Sequence, residues 1–411
     1  MRTSSIASKT VALVGALDTK GAEYAFVKAI LEAQGLQTFV IDSGVLGSPT
    51  LAPDITRAEV ARAGGADIAA LVVKADRGKA VEAMSRGLTV LLPQLLADSR
   101  FDGVLALGGT GGTSVVSRAL RALPLGIPKV IVSTVAGGDV SAYVGVSDIV
   151  MIPSIVDVAG INRISRGVLA RAAGAVVGML ETDVPTGDDK PLIAASMFGN
   201  TTEAVETARA IFEAQGYEVL VFHATGNGGR TMESLIETGQ IAGVFDLTTT
   251  ELADELAGGV FTAGPHRLEA VGAAKIPAIV APGCLDMVNF GAPETVPSRY
   301  AGRLFYQHNA NVTLMRTNVE ENAQLGAEMA ANINAYTAPV TVLLPLRGLS
   351  IIGAEGGAFH WPDADAALFA ALKRDLSPDI PVVEIDAAIN DPVFAERAAQ
   401  ALLDHLTAVA A

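Results

Sequence analysis

The densest grouping of residue types able to hold a ligand is Gly108-Gly109-Thr110-Gly111-Gly112-Thr113-Ser114, which follows an apolar run and precedes a helical pattern. Glycines let the backbone approach a ligand closely, and free amides at a helix N-terminus hold phosphate or carboxylate. The loop is not a P-loop, because no Gly-Lys-Ser/Thr ending is present, and Ser114 stands where the third glycine of G-x-G-x-x-G would fall. Its competing reading is a tight strand-to-helix turn. Asp18-Thr19-Lys20-Gly21 closes another apolar run. There Lys20 is suited to neutralise a phosphate and Asp18 to bind a hydroxyl or a metal-bound water, while capping of the next helix accounts for Asp18 equally well. A third turn, Ser133 to Val140, contains Gly137 and Gly138, and Arg163 and Arg166 share one helical face, for an anionic ligand or a structural carboxylate.

The second half offers a different set. His223-Ala-Thr225-Gly-Asn227-Gly228-Gly229-Arg230 ends an apolar run, with His223 as a general acid or base, or as hydrogen-bonded structure. Thr225, Asn227, Gly228, Gly229 and Arg230 are the substrate-binding candidates of that loop. Asp286 and Asn289 follow a later run, and Arg347 is placed to clamp a carboxylate or phosphate. Cys284 invites a thiol mechanism with His308, against the simpler reading of a buried small residue. There is no His-Glu-x-x-His, paired histidine or dense carboxylate cluster, so no dedicated metal is expected, although Mg²⁺ carried by a nucleotide remains compatible.

These loops need elements to position them. Short apolar runs at Val11–Leu17, Thr38–Ile41, Ile68–Val73, Gly103–Leu107 and Lys129–Ser133 read as strands buried on both faces. Helical patterns lie between and after them, at Ala22–Gln34, Thr56–Ala63, Lys79–Arg86, Thr113–Leu123 and Ile155–Met179. Strands at Leu192–Phe198, Val219–Phe222, Gly243–Leu247, Ala278–Ala281, Val340–Leu344 and Val382–Ile385 alternate with helices in the second half. The opening unit recurs: one fixed shift lays Leu192–Phe198 on the first strand and Glu213-Ala-Gln-Gly216 on the identical Glu32-Ala-Gln-Gly35. The expected organisation is an α/β chain of two halves, 1–181 and 192–411, joined by a Pro- and Gly-containing linker at 182–191. Each half forms an open, mainly parallel sheet with helices on both faces, and the ligand site is expected in the cleft between them.

Composition narrows the partners. With 29 Lys plus Arg against 44 Asp plus Glu, the net charge of −15 argues against nucleic acid and anionic membrane, which are held by excess cations. A single cysteine cannot form an internal disulfide, the first ten residues lack the apolar core of a secretory signal, and no apolar run reaches about 18 residues. The expectation is a cytoplasmic protein.

The runs Val14–Gly21, Leu107–Ser114 and Asn162–Arg166, together with Asp246–Leu256, Leu285–Gly291 and Asn311–Thr317, resemble one family over nearly the whole chain. It is formed by the N-terminal ATP-binding domain of the plant tobamovirus-resistance protein and that domain's bacterial homologues. The resemblance implies two Rossmann-like subdomains, ATP binding at Gly108–Ser114, and assembly into homodimers or larger oligomers. It also implies a small residue such as Ala at the position of Cys284. The antiviral role, which in plants accompanies a further TIM-barrel-like segment, is not carried over. The leading expectation is an ATP-binding enzyme of small-molecule metabolism, with Mg²⁺ as a possible companion. Two alternatives stay open: a non-catalytic ATP-dependent regulatory or assembly module, and a nucleotide-independent hydrolase, lyase or isomerase acting on a small organic acid.

Overall fold

A computed structural model describes residues 9–74, 76–185 and 187–410. Residues 1–8, part of the segment read above as lacking a secretory signal, lie outside it, as does residue 186 of the expected linker. The chain divides after Pro185 into two compact units.

The first unit runs β1 (Thr10–Gly15), α1 (Leu17–Ala33), β2 (Gln37–Asp42), α2 (Arg57–Ala63), α3 (Ile68–Lys74), α4 (Arg77–Ala97), β3 (Gly103–Gly108), α5 (Thr110–Arg121), β4 (Lys129–Ser133), α6 (Ser141–Val144), β5 (Val150–Pro153) and α7 (Arg163–Glu181). Its five strands are parallel, in the order β2-β1-β3-β4-β5. Alternate residues of each strand feed opposite cores, as the two-residue period requires. Leu13, Leu105 and Val132 pack with α1 and α7 on one face, while Val14, Ala106 and Ile131 pack with α2, α4 and α5 on the other. The winding direction therefore reverses between β1 and β3, the position at which open α/β sheets leave a crevice beyond their strand ends.

Two sequence expectations are corrected here. Ile68–Val73 is not a strand but lies in α3, where Asp67 accepts a hydrogen bond from the Ala69 N–H at 3.0 Å. An apolar run this short carries no period that separates strand from helix. The helix expected at Ile155–Met179 begins only at Arg163, because the Asn162 side chain accepts from the N–H groups of Ile164 and Ser165 in a capping box.

The second unit runs β6 (Leu192–Met197), α8 (Thr202–Ala214), β7 (Glu218–His223), α9 (Asn227–Glu237), β8 (Ile241–Thr248), α10 (Thr250–Ala257), α11 (Glu269–Ala274), β9 (Ala278–Gly283), β10 (Met287–Phe290), β11 (Phe305–Asn309), β12 (Val312–Arg316), α12 (Val319–Ile333), β13 (Val340–Pro345), α13 (Pro362–Asp375), β14 (Val382–Ile385) and α14 (Pro392–Ala410). Six strands form a parallel sheet ordered β14-β13-β9-β8-β6-β7, which repeats the first unit's order with one strand added. Helices α8 and α14 cover one face, and α9 to α13 the other. The antiparallel sheet β10-β12-β11, inserted after β9, was not anticipated.

Helix α4 is seated by close backbone approach: a Cβ at Gly87 would lie 1.9 Å from the Val60 carbonyl oxygen, and one at Gly64 would lie 2.1 Å from that of Ala83. Gly87→Ala is therefore expected to lower stability by about 1–3 kcal/mol through overpacking, read by urea denaturation; an unchanged midpoint would refute this account of the α2–α4 contact.

Candidate functional site

The site follows from how β1 and β3 end. Their pairing runs from Val11–Gly103 to Val14–Ala106. Beyond it the Tyr24 side chain, reaching up from α1, donates to the Val14 carbonyl at 2.6 Å and accepts from the Leu107 N–H at 2.8 Å. Gly15 is required there, since a Cβ would meet the Tyr24 hydroxyl at 1.9 Å. Above this bridge lies a cavity of about 580 Å³, bounded by the β1–α1 turn, the segment after β2, helices α3 and α4, and the start of α5.

One end of the cavity is polar. Gly109, Thr110, Gly111 and Gly112 line it. Helix α5 starts from Gly109, which offers no side chain to cap it, and its first turn contains no acidic residue. Its leading amides and the positive end of its dipole are thus free for an anion. Gly108, Thr113 and Ser114 are not part of the lining: a Cβ at Gly108 would crowd the Thr113 nitrogen at 2.9 Å, Thr113 shares a 2.6 Å hydrogen bond with Ser133, and the Ser114 hydroxyl donates to the Thr110 carbonyl. Arg77, at the start of α4, was missed from the sequence. Its Nη2 comes within 3.2 Å of the point where a Gly111 Cβ would stand, and no ion pair engages it among the described residues. A cation 34 residues before Gly111 carries no local signal, because only the packing of α4 on α5 joins them.

Lys20 and Asp18 also line the cavity. The Lys20 ammonium donates to the Val158 carbonyl. Asp18 holds the wall together, its Oδ2 accepting from the N–H groups of Leu46 at 2.7 Å and Gly47 at 3.0 Å, while its Oδ1 has no hydrogen-bond partner. Asp42, buried at the end of β2, fastens the same segment through Leu17 N–H and Gly44 N–H, and burial raises its pKa. Gly137 and Gly138 form an exposed turn, and Arg163 and Arg166 are exposed on the first turn of α7; none of the four reaches this cavity.

The second unit treats its equivalent position differently. Pairing of β6 with β8 ends at Ala195–Phe245, and the Ser196 hydroxyl then donates to Asp246 at 2.6 Å and accepts from the Thr248 N–H. Buried Arg267 fills the space above, with bidentate contacts to Asp246 at 2.6 and 2.7 Å and further bonds to Glu251 at 2.8 Å and Glu233 at 3.0 Å. The other oxygen of Glu251 accepts from Gly226 N–H at 2.7 Å and Gly229 N–H at 3.0 Å. The glycine loop expected to bind substrate thus already holds a carboxylate.

The remaining candidates of that loop are similarly engaged or separated. Arg230 donates to Asn227 and to the Thr262 carbonyl, Thr225 donates to the His223 carbonyl, and the ring of the exposed His223 lies tilted against Phe198 with centroids 5.4 Å apart. Gly228 is needed for the turn, since a Cβ would lie 1.8 Å from the His223 carbonyl oxygen. Arg347 forms an exposed two-pronged pair with Asp386. Asn289 is buried against Asp254, donating at 2.7 Å. Asp286 is buried and accepts from Ser350 at 2.6 Å, and burial pushes its pKa up to about 6. Cys284 is buried with its thiol pushed up by burial and by Asp286, which removes the thiolate that a nucleophile would need; His308 is exposed on β11.

Removing one member of the Arg267 network leaves buried charges unpaired. Arg267→Met is expected to destabilise the protein by about 3–5 kcal/mol in denaturant titrations, and a loss below about 1 kcal/mol would show that the network does not hold this region. Burial also pushes the pKa of Asp254 up to about 7 from 3.8. The folded state therefore binds this proton more tightly than the unfolded chain, and the associated stability is present at low pH and lost as pH rises through about 7. Denaturation measured from pH 5 to pH 8 should show wild-type stability falling, with a flatter profile in Asp254→Asn; identical profiles would contradict this.

Comparison with known proteins agrees with the division into two units. Residues 9–185 match the family model described as the uncharacterised protein family UPF0261 N-terminal domain, and residues 190–406 match its C-terminal domain. A UPF0261 protein of Clostridium tetani is 49% identical over 401 residues, covering 97% of this chain and 99% of that protein. One from Rhizobium meliloti is 45% identical, covering 96% and 99%. The ToMV resistance protein Tm-1 of Solanum lycopersicum is 42% identical over 336 residues, which are 80% of this chain but 45% of that protein. Among solved structures, the UDP-N-acetylglucosamine 2-epimerase of Rickettsia bellii aligns over 98% of both chains at 11% identity, with a TM-score of 0.23. No helix among the described residues is long and apolar enough to cross a membrane.

Proposed function

We propose, for a chain that belongs to the uncharacterised protein family UPF0261, that its first unit binds a nucleotide, ATP, with the phosphates at the start of α5. The observation that carries this reading is the uncapped first turn of α5 opening into a 580 Å³ cavity beside Arg77. Amides and helix dipole hold anionic oxygens, and the guanidinium and Lys20 offset their charge. The likeness of the sequence motifs to an ATP-binding domain supports the same choice. Mg²⁺ carried by the nucleotide would neutralise phosphate charge, and Asp18 and Asp76 are the carboxylates of the lining that would face its water shell, the unpartnered Asp18 Oδ1 itself being buried. Among the described residues there is no cluster of three His, Cys, Asp or Glu side chains to hold a metal independently.

The second unit's glycine loop has no part in this binding, because Glu251 holds its amides. Its contribution in this reading is as a folded partner to the nucleotide unit. Turnover of ATP in a metabolic reaction and ATP-dependent assembly of copies of the chain are both compatible with such a site, and they part on whether ADP appears during binding.

Calorimetric titration with Mg²⁺-ATP should show saturable binding, weakened at least 10-fold in Gly111→Asp, which puts a carboxylate in the phosphate position, and roughly 10-fold in Arg77→Ala. Unchanged affinity in both variants, or no binding at millimolar ATP, would overturn the assignment.

A further inference from the structure

The same cavity specifies what lies beyond the phosphate. Helix α4 presents Arg77, Ala80, Val81 and Met84 to it, at spacings of three, four and seven residues, so a single face runs from a cation to aliphatic side chains. Helix α5 follows the same course, with Val115 one turn beyond Gly111 and Gly112. Leu71 and Val72 of α3 and Val45 from the segment after β2 complete the far wall. The polar side chains that line the cavity come from the first turn of α1, from Ser43 and from the starts of α4 and α5; the side chains of the far wall are aliphatic or thioether groups without a donor or charge. At its mouth Val72 is 44% exposed and Leu46 84% exposed, an uncovered apolar rim on a chain with a net charge of −15.

We infer that the site takes phosphate esters with an apolar body, and that it recognises this body by burial of apolar surface rather than by hydrogen bonding. This rests on the reading of the α5 start as the phosphate position. Two consequences follow for the ligand class. Nucleotides are held with little discrimination between bases, because a base edge meets no matching side-chain donors and acceptors in the far wall. Esters carrying an alkyl group bind more tightly with each methylene that enters the wall, by about fourfold for each one fully removed from water.

Isothermal calorimetry on the full chain with inorganic phosphate, then methyl, ethyl, propyl and butyl phosphate, tests the inference, with ATP and GTP titrated in parallel. The expected result is a stepwise gain along the alkyl series, ATP and GTP affinities within about threefold of each other, and a flattened series in Val72→Asp, whose folding is checked by its melting transition. A flat series in the wild type, a base preference above 20-fold, or a gain that survives in Val72→Asp would overturn the inference while leaving the phosphate assignment intact. Absence of binding by phosphate, every alkyl phosphate and both nucleotides would overturn the phosphate assignment as well.

Discussion

Neighbouring parallel strands whose helices leave toward opposite faces cannot both be covered at their ends, and the backbone groups exposed where they part need partners. This constraint shapes both units. Between β1 and β3 the partner is the Tyr24 hydroxyl, a flat group that closes the floor and leaves volume above it. Between β6 and β8 it is Ser196, whose short side chain joins the Asp246–Arg267–Glu251 network that occupies the space above. One strand order thus carries an open crevice in the first unit and a filled one in the second: α3 and α4, between β2 and β3, wall the first, and Arg267, on the connection from β8 to β9, fills the second.

Much of the architecture was legible because buried parallel strands are continuous apolar runs. Strands β1, β2, β3, β4 and all six of the second parallel sheet fall where those runs stand. The failures have different causes. The Ile68–Val73 run is apolar yet becomes α3 at the edge of a cavity, where Val72 and Val73 stay substantially exposed. The β11 strand is exposed throughout, and so lacks the apolar run on which the other strands were recognised.

The site was legible in part. Asp18, Lys20 and Gly109 to Gly112 were marked by their place after apolar runs, and all line one cavity. Arg77 and the aliphatic wall were not, because tertiary packing brings them there from α3 and α4. The second unit's loop read as a binding loop for the same reason as the first, since its glycines are real requirements of the backbone. What sequence did not disclose was that Glu251, 22 residues beyond Gly229, supplies the anion itself.

That resident carboxylate has a thermodynamic consequence. An anion tethered to the chain is present at the same effective concentration whatever the solution contains, so it adds a fixed quantity to the folding free energy of its unit. A diffusible ligand adds a quantity that grows with the logarithm of its concentration once it exceeds the dissociation constant. Two units of related topology within one chain would thereby differ in their dependence on their surroundings: the second carries its stabilising anion from synthesis, while the first, if it binds the anion proposed above, would gain stability only where that ligand is abundant.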